Sequence, residues 1–169
     1  MSEWNIRLEQ STDIMAITHV TELAFRSVSH SDHTEQFIVL ALRRAEVLSV
    51  SLVAEHATQV VCHIAFSPVQ FSDGSLHWHG LGPVSVLPEF QRRGIGKALI
   101  SSGLARLRLL GAAGCVVLGE PSYYGRFGFK NRRGCVLEGV PQEYFLSLAF
   151  GQHSTAGKVT YHEAFDAKG

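Results

Sequence analysis

The stretch VLPEFQRRGIGKALI, residues 86–100, decides how the rest of the chain is read. Val86 and Leu87 end an apolar run and Pro88 stops it. Gln91-Arg92-Arg93-Gly94-Ile95-Gly96 then leads into residues whose apolar positions recur at helical spacing. Backbone N–H groups at a helix start have no partner within the helix, and the helix dipole favours an anion beside them. Glycines keep side chains out of that space, and arginines add charge at its rim. Three loop types hold phosphates with such letters. A P-loop, G-x-x-x-x-G-K-[ST], needs glycine where Gln91 stands and a hydroxyl where Ala98 stands. The dinucleotide fingerprint needs a glycine at position 99, which is Leu99. It also needs an acidic residue about 20 residues on, where position 116 is Val, although Glu120 is nearby. The pattern Q/R-x-x-G-x-G/A is met at every fixed position by Gln91, Gly94 and Gly96.

Immediately upstream, LHWHGLGPVSVLP reads as a strand interrupted by Gly80, Gly82 and Pro83, the mark of a bulge or of close approach by another backbone or ligand. Before it, LSVSLVAEHATQVVCHIAFSPVQF reads as a hairpin broken at residues 55–58, and SDGS at 72–75 as a turn. Ile6 and Leu8 alternate with polar neighbours as a first strand. Ile14, Ile17, Val20, Thr21 and Ala24 mark a first helix, and residues 34–44 a second. Downstream, residues 95–110 are helical up to Gly111, and GCVVLGE suits the buried middle of a sheet. PSYYGRFGF opens on a helix-starting proline and breaks at Gly128. The tail holds EYFLSLAF and KVTYHEAF, read as two strands or as a short helix and a strand. With no repeat, low-complexity segment or dividing linker, residues 1–169 read as a single α/β (α+β) domain, with a core of roughly 3–138 and C-terminal strands in 140–166.

In order and spacing, these segments resemble the GNAT superfamily of acetyl-coenzyme A-dependent N-acetyltransferases. LGPVSVLPEFQRRGIGKALI looks like that family's bulged fourth strand and central helix. VVLGEPSYYGRFGF looks like its fifth strand and the helix carrying Y-x-x-x-G-F, here Tyr124 to Phe129. EQFIVLALRR followed by LSVSLVAE is similar to a bacterial subgroup of small-substrate acetyltransferases. The resemblance implies a twisted, mixed, mostly antiparallel sheet flanked by helices on both faces. It implies acetyl-CoA as cosubstrate, bound at Val84, Ser85, Val86, Gln91, Arg92, Arg93, Gly94, Ile95, Gly96, Lys97, Tyr124 and Phe127. It also implies transfer to a primary amine of a small molecule or peptide by direct attack in a ternary complex. Tyr124 then supplies a proton to the departing thiolate, as a phenol of pKa near ~10 can at neutral pH. Tyr123 falls outside the motif and reads as packing.

Other assignments stay open at this stage. Glu120 reads equally as the general base or as a helix-capping carboxylate. Glu35, at the start of the second helix, reads more simply as a partner of the helix dipole than as a holder of a cationic amine. A rival reading from another class is a non-catalytic acyl-CoA-binding sensor or interaction module. His77 and His79 share a face of a regular strand, but two ligands do not complete a metal site, so no metal is expected. Arg126, Lys130, Arg132 and Arg133 read as a solvated face.

The totals agree with this picture. Among 169 residues, 15 Lys and Arg balance 15 Asp and Glu, which points to no nucleic-acid or membrane partner. Three cysteines without C-x-x-C spacing suit reduced thiols, and no apolar run approaches the ~18 residues of a membrane span. A cytoplasmic protein is expected. The acceptor and the oligomeric state are open, with homodimers common among such relatives.

Overall fold

Alternation of apolar and polar residues and two tight reversals build most of the sheet. The computed structural model describes residues 3–152 and 155–169. The elements are β1 (Asn5–Leu8), α1 (Ile14–Phe25), α2 (Glu35–Arg44), β2 (Val50–His56), β3 (Gln59–Phe71), β4 (Trp78–Val86), α3 (Ile95–Leu109), β5 (Gly114–Leu118), α4 (Pro121–Tyr124), β6 (Cys135–Val136), β7 (Phe145–Ala149) and β8 (Gly157–Tyr161). Strand order is β1-β2-β3-β4-β5-β7, while β8 pairs with the far end of β3 and with β6. Only β4–β5 and β6–β8 are parallel; the other pairs are antiparallel. The β2–β3 reversal falls on Ala57 and Thr58, both left-handed at φ 48° and 68°, inside the expected break.

Period-2 alternation sends neighbouring residues of β3 to opposite layers. The Phe66 ring faces α3, where a Cβ added at Gly103 would lie 2.2 Å from it, so Gly103 sets how closely that helix approaches the sheet. His63 points the other way, toward the layer of α1 and α2. It is fully buried, with Nε2 2.8 Å from Ser51 Oγ and 3.7 Å from Glu9 Oε1. Glu9 also receives the Arg43 guanidinium through Nε at 2.8 Å and Nη2 at 2.9 Å, which ties α2 to the sheet. Ser51 Oγ donates to Glu9, so the proton on His63 lies on Nε2 and is given to Ser51. Nδ1 is then the bare nitrogen, buried without a partner among the described residues.

The tail resolves as two strands, β7 and β8, followed by a single 3₁₀ turn at Glu163–Asp166. The two-residue β6 was not anticipated, being too short to show periodicity. His77 lies outside β4 at φ 67°, so it and His79 do not alternate along a regular strand. No helix among the described residues is long and apolar enough to cross a membrane.

Candidate active site

The site begins where two strands part. β4 and β5 pair over only three residues, Trp78–Gly80 against Gly114–Val116, although both strands continue. On its other side β4 keeps contact with β3 as far as Val86, with a register shift where Leu81, Gly82 and Pro83 are set against fewer residues of β3. The expected bulge is therefore present, and it turns β4 away from β5 into an open V.

Leu87 N–H donates to Val61 O at 2.9 Å, so backbone groups of odd-numbered residues here face β3. Alternation leaves those of Val84 and Val86 on the open edge. Ser85 is different from the expectation in one respect: its side chain is fully buried on the α1 face and its backbone belongs to the β3 ladder, so it faces away from the V. Val86 O accepts from Gln91 Nε2 at 3.1 Å, which anchors the basic loop to the open edge.

The loop places its glycines as the sequence required. Gly94 precedes α3 in the left-handed region at φ 86°, and Arg92 at φ 63° adopts the same conformation against the preference of a residue with a Cβ. The first helical bond is Ala98 N–H to Gly94 O at 3.1 Å, so the N–H groups of Ile95, Gly96 and Lys97 have no partner among the described residues. They head a groove of about 370 Å³ lined by Val86, Gln91, Arg92, Gly96, Tyr123 and Arg126 among others. A Cβ at Gly96 would stand within this groove, 3.5 Å from Val86 and 3.8 Å from the Tyr123 hydroxyl. Free N–H groups, a cradle that a side chain would fill, and cationic rims at Arg92, Lys97 and Arg126 together fit a diphosphate.

Two of these residues were missed. Tyr123 forms a wall of the groove, and Arg126, exposed as expected, also stacks over its ring at 4.8 Å and lines the groove. Their i, i+3 spacing on one short helical turn was the available signal. Arg93, expected at the anion site, turns its side chain elsewhere: Nη2 donates to Glu3 Oε2 at 2.9 Å and the guanidinium lies 5.0 Å over Phe90. Arg92, in its left-handed conformation, takes that place.

Tyr124 sits between the groove and the strand end. Its ring lies so close to Gly119 that a Cβ there would be 2.3 Å from Cε2. Tyr123, Phe127 and Phe129 surround it with ring centroids 5.0, 6.3 and 5.9 Å away. Burial pushes its phenol up to about 12, with the neighbouring Tyr123 adding in the same direction. Phe127 thus supports Tyr124 and does not line the groove. Glu120 is exposed at the start of α4 and makes no side-chain cap and no ion pair among the described residues.

Across the splayed strands from the groove lies a second cavity of about 340 Å³. The bulge residues Leu81, Gly82 and Pro83 and the β5 end, Leu118, form one wall, and the α1–α2 region with the C-terminal segment forms the other.

These features can be set beside known proteins. Residues 48–131 match the family model described as an acetyltransferase (GNAT) domain. The chain is 30% identical over 168 residues to the N-acetyltransferase YhbS of Escherichia coli K12, covering 95% of this chain and 98% of that one. The chain belongs to the GNAT acetyltransferase family. A crystal structure of a GNAT family acetyltransferase from Brucella melitensis in complex with acetyl-CoA is 51% identical, with a TM-score of 0.86 over 96% of this chain and 98% of that chain. The structure of Escherichia coli YhbS in complex with CoA is 30% identical, with a TM-score of 0.88 over 100% of this chain and 95% of that one.

Proposed function

We propose that the chain acts as one domain that transfers an acetyl group from acetyl-CoA to a primary amine, by direct attack within a ternary complex. The observation that carries this is the divergence of β4 from β5 after Gly80, directly beside the glycine-led start of α3. When bound, acetyl-CoA supplies a thioester-activated acyl group. The free N–H groups of α3 and the Arg92, Lys97 and Arg126 cations hold its diphosphate. The open edges of Val84 and Val86 pair with its extended arm as a neighbouring strand would. An N–H of the bulged segment faces the acyl oxygen, where a fixed donor stabilises developing negative charge.

Tyr124 gives its proton to the sulfur as the C–S bond breaks. Its buried phenol is fully protonated at neutral pH and lacks a hydrogen-bond partner among the described residues, so it is available as a donor. The amine loses a proton as its nitrogen forms the new C–N bond. Glu120, exposed one residue beyond Gly119, receives that proton directly or through water. The homologue in complex with acetyl-CoA supports the cosubstrate.

The test follows thiol release from acetyl-CoA against a panel of amines. Tyr124→Phe is expected to lower kcat about 10²-fold while leaving the Kd for coenzyme A unchanged. Equal kcat in the variant would remove Tyr124 from the chemistry. Saturable coenzyme A binding with no thiol release on any amine would favour a binding module instead.

A further inference from the structure

The cavity opposite the coenzyme groove has a composition that selects its occupant. Its walls are apolar: Phe25 and Ile38 from the helices, Leu81 and Leu118 from the splayed strands, Leu137 and Tyr161 from the C-terminal segment. One charged residue lines it, Glu35. That carboxylate is partly exposed at the first position of α2, where Oε2 accepts from Thr34 N–H at 3.1 Å and Oε1 from Ser31 Oγ. These two bonds fix its position and leave acceptor capacity on both oxygens.

The size agrees: about 340 Å³ lies at the low end of small-molecule sites. Because Leu81, Gly82 and Pro83 line the same cavity as Glu35, a single small molecule spans from the carboxylate to the bulge.

Resting on the transferase reading of the cleft, we infer that the acceptor is a small monoamine on an apolar, aromatic or branched body, with Glu35 attracting its ammonium. The chemistry excludes two neighbouring classes. A carboxylate beside the amine, as in a free amino acid, would meet Glu35 as a like charge. A second ammonium, as in a polyamine, would find no counter-charge among the lining residues and only apolar walls beside it.

The test measures binding by calorimetry with coenzyme A present, so that it does not depend on turnover. Phenethylamine, phenylalanine and spermidine are the probes, against the native chain, Glu35→Gln and Leu118→Asn. Leu118 is 46% exposed, so the second variant alters the cavity wall without opening the core. Phenethylamine is expected to bind at least tenfold more tightly than the other two. Glu35→Gln should weaken it about tenfold and narrow its lead over phenylalanine, and Leu118→Asn, which removes apolar wall without adding charge, should weaken it as well. Equal or tighter binding of spermidine or phenylalanine, no binding of phenethylamine, or indifference to both substitutions would overturn the inference. Phenethylamine that binds in this pattern yet releases no thiol from acetyl-CoA would sustain the ligand class and count against the transfer reading alone.

Discussion

A methyl group added at Gly119 has nowhere to go but into the ring of Tyr124, since 2.3 Å is far inside van der Waals contact. Gly119 is therefore a positioning residue for the proposed proton donor. Its own N–H is held by Tyr144 O at 2.9 Å, which keeps the backbone from retreating. Gly119→Ala is expected to lower kcat by at least tenfold through displacement of the phenol, with coenzyme A affinity nearly intact; steady-state kinetics beside a binding isotherm separates the two effects. Burial also sets the pH behaviour of that phenol. Its ordinary value near ~10 is raised to about 12, so the donor form persists to higher pH than in a free tyrosine. The kcat profile should then show no falling limb with a midpoint near ~10; such a limb, absent in Tyr124→Phe, would contradict the burial described.

At the scale of elements, the join between α2 and the sheet is a partly buried ion pair set against the buried His63, and it should fail in acid. Burial works to raise the Glu9 carboxyl, but His63, Arg43 and Ser51 outweigh it and hold the group well below the usual carboxylate range. His63 is held below its ordinary value, chiefly by its burial. Both shifts have the same sign for stability. Below about pH 6.5 the unfolded chain takes up a proton at residue 63 that the folded chain refuses. Below about pH 4.3 the same becomes true at Glu9. Stability is thus present at neutral pH and lost in two stages as pH falls. Thermal melts between pH 8 and pH 2 should show both, with the upper stage absent in His63→Gln; a melting temperature that rises from pH 7 to pH 5 would be the contrary result. Removing one partner is severe because it strands the other: Arg43→Ala should cost about 3 kcal/mol in chemical denaturation. None of this network was legible in the sequence, because Arg43, Ser51 and His63 lie 34, 42 and 54 positions beyond Glu9 and follow no motif. The elements themselves were legible wherever period and punctuation agreed, as in α1, the β2–β3 hairpin and α3.

For the whole molecule, legibility divides along the V. The coenzyme side was readable because a helix start, two glycines and a basic residue are local in sequence and each has a direct physical reason. Arg93 turns away from the groove and Arg126 lines it because side-chain direction depends on loop geometry that spacing alone does not contain. On the other side of the V only Glu35 drew notice in the sequence, and it read more simply as a partner of the helix dipole. Phe25, Glu35, Leu118 and Tyr161 meet there only after the sheet has brought α1, α2, β5 and β8 together. One consequence of the parted strands extends beyond chemistry. A sheet whose middle is opened has an edge inside it, and the Val84 and Val86 amides on that edge lack strand partners among the described residues. In the free protein these two amides should exchange with solvent deuterium far faster than the neighbouring amides of Ser85 and Leu87, which the β3 ladder protects. Saturating coenzyme A should slow them selectively, so that the empty cleft and the filled one are told apart by two amide signals in the centre of the sheet. Uniform protection across residues 84–87 in the free protein would mean that the edge is closed.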